Sequence, residues 1–298
     1  MKKRKRIRIA IQKKGRLNND SIDLLLKCGV KIRYSNSSLY CHAENLPIDI
    51  LFVRDDDIPT LVIDGVCDIG IVGENILLEK GIYQRRRELS QFGVIQKLGF
   101  SRCRLSIAIS KEKKYSSLAS LAGRRIATSY PNLLSAYLSK KKVSCEILNI
   151  SGSVEIAPQL DIADAICDLI STGRTLEEHN LREVETIINS QAVLIQNTEQ
   201  CCDTVLETCS LLLRRIQGVL HAQENKYIMF HVRRSALPMI KELLPGSESP
   251  TIMPLANTKD KVAVHVVSPE AIFWTTLEKL KIAGASSILV FPIEKMLK

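Results

Sequence analysis

The residues Asp168, Leu169, Ile170, Ser171, Thr172, Gly173, Arg174, Thr175 and Leu176 form the stretch of this chain best suited to chemistry. The apolar run from Ala165 to Ile170 is broken by one acid, Asp168, and reads as a strand. Ser171, Thr172 and Thr175 then set hydroxyls around Gly173, and Leu176-Glu177-Glu178 resumes a helical composition. Glycine lets backbone approach a ligand closely. A helix N-terminus turns free N–H groups outward and favours an anion. Hydroxyls plus N–H groups suit a phosphate monoester, and Asp168 would accept hydrogen bonds from ribose hydroxyls. The stretch reads as a sugar-phosphate loop, with a capped helix after a buried strand as the other reading.

Alternating strand and helix signals frame that loop. Arg6 to Gln12 is a strand with Ile7, Ile9 and Ile11 on one face. Asp20 to Cys28 is an amphipathic helix ended by Gly29, and Ile48 to Arg54 is an apolar strand. Asp55, Asp56 and Asp57 offer N-cap carboxylates for a helix opening at Ile58-Pro59 and running to Val66. Cys67 to Gly73 is a further buried strand. A second series places strands at 104–110, 125–128, 145–150 and 163–170, and helices at 117–122, 133–141 and from Thr175. Leu181 to Gln196 is β-like. Such a succession predicts helix-covered parallel sheets in two α/β lobes, with a ligand cleft between them. From Tyr227 the order is strand, helix (235–244), a turn at 245–250, two strands (251–255, 262–267), helix (269–283) and strand (287–291). That βαββαβ order is ferredoxin-like and predicts a separate domain.

Composition narrows the function. The 298 residues carry 45% hydrophobic and 25% charged side chains, values of a globular protein with a large core. No apolar run approaches the ~20 residues of a membrane span. Nor does an apolar signal-peptide core follow the basic start at residues 1–6, so a cytoplasmic protein is expected. The nine cysteines include no C-x-x-C pair and read as small core residues of a reducing compartment. The five scattered histidines have no zinc spacing. Net charge is +10, but only the N-terminal tail is densely basic and aromatics are 5%, so nucleic acid is not an expected partner. A P-loop pattern is absent. A non-catalytic solute-binding module is the rival to an enzyme, and the hydroxyl-rich loop is what separates them.

Several stretches together resemble one family. Ile9 to Leu17, Val53-Arg54-Asp55-Asp56-Asp57-Ile58-Pro59 and Asp68 to Asn75 match its first-lobe motifs. Ile126 to Pro131, Gly152-Ser153-Val154-Glu155 and Asp168 to Leu176 match its second-lobe motifs. Gln217-Gly218-Val219, Pro250-Thr251-Ile252 and Gly284 to Leu289 match its tail. The chain resembles ATP phosphoribosyltransferase in the long form with a C-terminal regulatory domain.

The resemblance implies an α/β, two-lobed core like type II periplasmic binding proteins, plus the ferredoxin-like regulatory domain. It implies catalytic lobe I at 1–103 and 181–225, lobe II at 104–180, and the regulatory domain at 226–298. It implies transfer of phosphoribosyl from phosphoribosyl pyrophosphate to N1 of ATP, with Mg2+, as the first step of histidine biosynthesis. Feedback inhibition by histidine and a homo-oligomer (dimer and hexamer) follow from it as well. Asp168 to Leu176 would hold phosphoribosyl pyrophosphate. Arg16, Arg54, Glu74, Tyr130 and Glu155 would meet ATP or pyrophosphate. Arg16 and Arg54 are placed on loops after strands, where a guanidinium meets phosphate. Glu74 is a ligand-facing carboxylate or a helix-start acid. Asp55 to Asp57 are magnesium ligands or caps. Tyr130 stacks on adenine or fills the core. Leu237, Leu255, Ala285 and Ser286 would hold the regulatory histidine.

Overall fold

The computed structural model describes residues 4–35, 38–81, 92–197, 203–244, 249–256 and 258–297. Residues 1–3 of the basic tail and most of the expected 245–250 turn lie outside these. Lobe I contains β1 (Ile7–Gln12), α1 (Arg16–Lys27), β2 (Tyr40–His42), β3 (Ile48–Val53), α2 (Ile58–Ile63), β4 (Ile69–Gly73), α3 (Glu74–Glu79) and β5 (Phe92–Lys97). Lobe II contains β6 (Cys103–Ser110), β7 (Arg125–Thr128), α4 (Pro131–Lys141), β8 (Glu146–Asn149), β9 (Ala165–Ile170), α5 (Arg174–Glu178) and β10 (Leu181–Ser190). The chain then returns to lobe I as β11 (Ala192–Asn197).

The two sheets run β2-β3-β1-β4-β11-β5 and β10-β6-β9-β7-β8. With edge strand β2 set aside, both follow one scheme: second, first, third, crossing strand, fourth. The crossing strands are β11, antiparallel to β4, and β6, antiparallel to β9. This doubled order is that of two-lobed, type II periplasmic-binding-protein-like folds. Ile7, Ile9 and Ile11 are fully buried, so the alternation read from the sequence does face a core. Ala10 is buried as well, because helices cover both faces of a parallel sheet.

Several expected boundaries move. The helix expected from Asp20 begins at Arg16, and the one expected to reach Val66 stops at Ile63. The segment 117–122 is only a 3-10 turn over Leu118–Leu121. Asp57 stands at the α2 N-cap but makes no side-chain cap bond. Pro59 in the first turn already removes one N–H in need of a partner. Leu181–Ser190, expected in lobe I, is in lobe II: β10 pairs antiparallel with β6 throughout its length.

Residues 24–29 and 207 onward group as a second compact unit. Its start differs from the expected 226 because α6 (Asp203–Glu224) runs straight into β12 (Asn225–Arg233) with no loop at which to divide them. The unit continues with α7 (Leu237–Leu243), β13 (Thr251–Leu255), β14 (Thr258–Pro269), α8 (Glu270–Ile282) and β15 (Ser286–Pro292). Its sheet order, β13-β14-β12-β15 and all antiparallel, is ferredoxin-like. Ile228, Phe230, Val232, Val262 and Val264 fill its core.

Burial pushes the thiols of Cys28 and Cys167 up to about 12 and that of Cys67 to about 11, which keeps them protonated and inert at neutral pH. No helix of the described residues is long and apolar enough to cross a membrane.

Candidate functional site

Strand β9 carries Asp168 to the end of the lobe II sheet, between β6 and β7. The Thr128 hydroxyl donates to the Cys167 carbonyl at 2.7 Å and pins β9 there. Ile170 and Leu176, at the two ends of the loop, are buried in a core with Val154, Ala157 and Ala163. They anchor the loop, while Thr172 and Thr175 stay exposed. Gly173 has φ +84°, a left-handed conformation that a side chain disfavours, and a Cβ there would meet nothing within 4 Å. The space above the glycine is therefore open to a ligand. Helix α5 has only five residues, so its dipole is small, and an anion there would rest more on the loop's hydroxyls and N–H groups than on the helix.

A cavity of about 270 Å³ opens over the loop, lined also by Arg16, Ser106 and Glu155. Asp168 lines it as well. Burial raises its pKa above the usual carboxylate value, the Leu169 N–H at 2.8 Å lowers it in part, and the negative charge of Glu155 adds to the rise. A half-buried carboxylate near another is suited to a ligand that brings hydroxyl donors or a cation. Arg16 is the first residue of α1 and not, as expected, a loop residue. From lobe I its guanidinium donates to the Ser171 hydroxyl of lobe II. Arg174 is exposed and pairs with Glu178 at 2.8 Å.

A second cavity of about 420 Å³ is lined from lobe I by Arg54, Asp55, Asp56, Ile76, Glu79 and Lys80, and from lobe II by Ser129, Tyr130, Ser151 and Gly152. Arg54 is on a loop, as expected, and contacts Asp56 at 3.3 Å. Tyr130 is 9% exposed, and its hydroxyl accepts from Asn75 Nδ2 at 3.0 Å. Of its two expected roles the core one describes the ring. Burial raises the Tyr130 pKa, and the negative charge of Asp168 adds to the rise. Glu74 lines neither cavity. It begins α3 and pairs with Lys97 at 3.4 Å, so the helix-start reading holds for it.

The sequence reading missed a charged network beneath the loop. Glu183 accepts from Arg104 Nε at 2.7 Å, Arg104 Nη2 at 2.5 Å, the Ser106 hydroxyl at 2.7 Å and the Thr186 hydroxyl at 3.0 Å. The Arg104 bond holds its carboxyl down at about 2 against the opposing effect of burial. A charge inside an otherwise β-like run was the one available signal. Asn75 and Glu79 were missed as well.

Among the described residues no group of three or more His, Cys, Asp or Glu could hold a metal. Asp55 to Asp57 form no cluster: Asp56 turns to Arg54, and Asp55 accepts from the Asp56 N–H at 3.1 Å. Asp168 and Glu155 fit the other arrangement open to magnesium, one or two carboxylates shared with substrate oxygens.

In the second unit, Leu237 and Ala285 pack against the same core. Ser286 is exposed at the start of β15, opposite His231. Leu255 ends β13, which is the other edge of the sheet. Three strand spacings, about 14 Å, separate the two edges, so one copy of the chain does not gather these four residues.

The family model of ATP phosphoribosyltransferase matches residues 54–218, and that of the HisG C-terminal domain matches 222–295. The ATP phosphoribosyl transferase of the HisG:HisZ complex from Thermotoga maritima is 30% identical. The match covers 71% of this chain and 98% of that one, with TM-score 0.56. The Bordetella pertussis BvgS periplasmic VFT2 domain is 12% identical over 72% of this chain and 87% of that one, with TM-score 0.47. An ABC transporter periplasmic binding protein from Brucella ovis is 12% identical over 74% and 69%, with TM-score 0.48. At such scores these last two add nothing to the strand order itself. The family matches take in the later part of lobe I, all of lobe II and the C-terminal unit, and the chain belongs to the ATP phosphoribosyltransferase family, enzymes of the first step of histidine biosynthesis, in its long form with a C-terminal domain.

Proposed function

We propose that the Asp168–Leu176 loop holds phosphoribosyl pyrophosphate and that the Arg54–Tyr130 cavity receives ATP. The observation that carries this reading is the open cavity over Gly173, with hydroxyls on its rim and Asp168 in its lining. Thr172 and Thr175 donate to the 5′-phosphate, and Asp168 accepts from the ribose hydroxyls. Arg16, already beside Ser171, faces the pyrophosphate. Ile170 and Leu176 brace the loop from the core beneath it.

N1 of adenine attacks with a lone pair and carries no proton, so no general base is required. The C–O bond to pyrophosphate breaks as the C–N bond forms, and the anomeric carbon gains oxocarbenium character. The carboxylates of Asp168 and Glu155 favour that positive charge, and the guanidiniums of Arg16 and Arg54 favour the negative charge that leaves. The protein's part is positioning and charge stabilisation. Asp168 and Glu155 would hold magnesium, which would supply charge neutralisation of the leaving group.

We further propose feedback inhibition by histidine at the C-terminal unit, in a cytoplasmic homo-oligomer of dimers that form a hexamer. Leu237 and Ala285 lie together and Leu255 at the far sheet edge, so a histidine contacting all of them would need a second copy of the chain. The Thermotoga relative is described in complex with HisZ, and 98% of that chain aligns to 71% of this one. The C-terminal unit here would hold regulation within one chain.

The whole chain incubated with ATP, phosphoribosyl pyrophosphate and magnesium should give phosphoribosyl-ATP and pyrophosphate in equal amounts by mass spectrometry. Pyrophosphate release independent of ATP would contradict the proposal.

A further inference from the structure

Helix α4 begins with a deficit. Its N-cap residue, Tyr130, makes no side-chain cap bond, and Pro131 follows at the first position. The first helical bond is Leu134 N–H to the Tyr130 carbonyl at 3.1 Å. The N–H groups of Asn132 and Leu133 are left without intrahelical acceptors. Both find one in lobe I. Glu79, the last residue of α3, accepts from Asn132 N–H at 2.8 Å with one carboxylate oxygen and from Leu133 N–H at 2.9 Å with the other. The Asn132 side chain returns a bond to the Glu79 carbonyl at 3.0 Å. One turn earlier on α3, Asn75 holds the Tyr130 hydroxyl and also accepts from the Ser190 hydroxyl at 2.9 Å.

We propose that Glu79 is the latch between the lobes: its carboxylate caps a helix of the opposite lobe and so positions the cleft wall that ATP meets. When the lobes part, α4 loses its only side-chain cap among the described residues and Glu79 returns to water. When they close, a negative charge comes to rest at a helix N-terminus, where it is favoured. The exchange biases the empty protein toward the closed cleft and presents Ser129 and Tyr130 in place. Glu79 is a positioning residue and takes no part in bond making. The proposal rests on reading the Arg54–Tyr130 cavity as the nucleotide site.

The test uses the whole chain with Glu79→Ala and Glu79→Gln. Removing the cap loosens the start of α4 and with it the Ser129–Tyr130 wall, so KM for ATP should rise roughly five- to tenfold, with kcat and KM for phosphoribosyl pyrophosphate within about twofold. Residue-resolved amide exchange should show Asn132 and Leu133 protected in the native chain, more so with ATP, both unprotected in Glu79→Ala, and at most one protected in Glu79→Gln, whose side chain keeps a single acceptor oxygen. Equal exchange at these amides in native and variant chains overturns the latch. So does a fall in melting temperature with both KM values rising alike, the mark of a structural role only. If ATP protects none of residues 129–133 in the native chain, the nucleotide reading fails together with the latch, a pattern distinct from either of the others.

Discussion

Ser106 and Asp168 lie directly opposite each other on β6 and β9, and Ser106 joins the charged network while lining the same cavity as Asp168. The Ser106 hydroxyl donates to Glu183 and not to Asp168. Asp168 is thus left for a ligand, while Glu183 takes the fixed donors. Two neighbouring carboxylates acquire opposite shifts, Glu183 down and Asp168 up.

That division predicts a pH signature. The folded-state pKa of Glu183 is depressed, so its stabilisation is complete above the unfolded value near 4.3 and is lost as pH falls toward about 2. Glu183→Gln should cost roughly 1–2 kcal/mol at neutral pH, as for loss of a hydrogen-bonded charge. The gap between native and variant, followed by denaturant melts at several pH values, should narrow below about pH 4.

The phosphate loop predicts an affinity loss without a stability loss. Thr172→Val or Thr175→Val should weaken phosphoribosyl pyrophosphate binding roughly tenfold or more, since a hydrogen bond to a charged group contributes about 1.5–3 kcal/mol. Both threonines are exposed, so melting temperature should hold. Calorimetry with each variant gives both answers, and unchanged affinity in the pair removes the assignment.

Gly173 separates backbone from space. Its φ of +84° disfavours Ala by about 1–2 kcal/mol, whereas Asn tolerates that region. Gly173→Ala should melt lower than Gly173→Asn. Both should bind phosphoribosyl pyrophosphate worse than the native chain, because either side chain projects into the open cavity.

Arg16 and Arg54 should not be replaceable by lysine. Each faces a proposed phosphate group, and a forked, bidentate contact needs the guanidinium. Steady-state kinetics on Arg16→Lys and Arg54→Lys should show raised KM values. Native kinetics in both would leave only bulk charge as their role.

How far the sequence could be read depended on how local each feature is. The strand Ile7–Gln12 and the loop Ser171–Thr175 were legible because alternation and hydroxyl–glycine composition are properties of adjacent residues. So was the βαββαβ order of the C-terminal unit. Arg104 and Glu183 are 79 positions apart, and Glu79 and Asn132 53, and no local pattern joins them. Strand β10 was legible as a strand but not as a member of lobe II, since its partner is set by a bulged pairing with β6. Glu74 and Asn75 show the same limit: the acid looked functional, but the first turn of α3 aims the amide at the other lobe.

The central claim is that Asp168 and its loop hold the ribosyl donor, and Asp168→Asn tests it most directly. Asn keeps the shape and removes the charge that accepts ribose hydroxyls and favours the oxocarbenium carbon. Phosphoribosyl-ATP formation should fall at least about a hundredfold, the scale of losing one electrostatic contact in the transition state, with the variant folded as the native chain is. Turnover by Asp168→Asn at the native rate, with native affinity for phosphoribosyl pyrophosphate, would contradict the account.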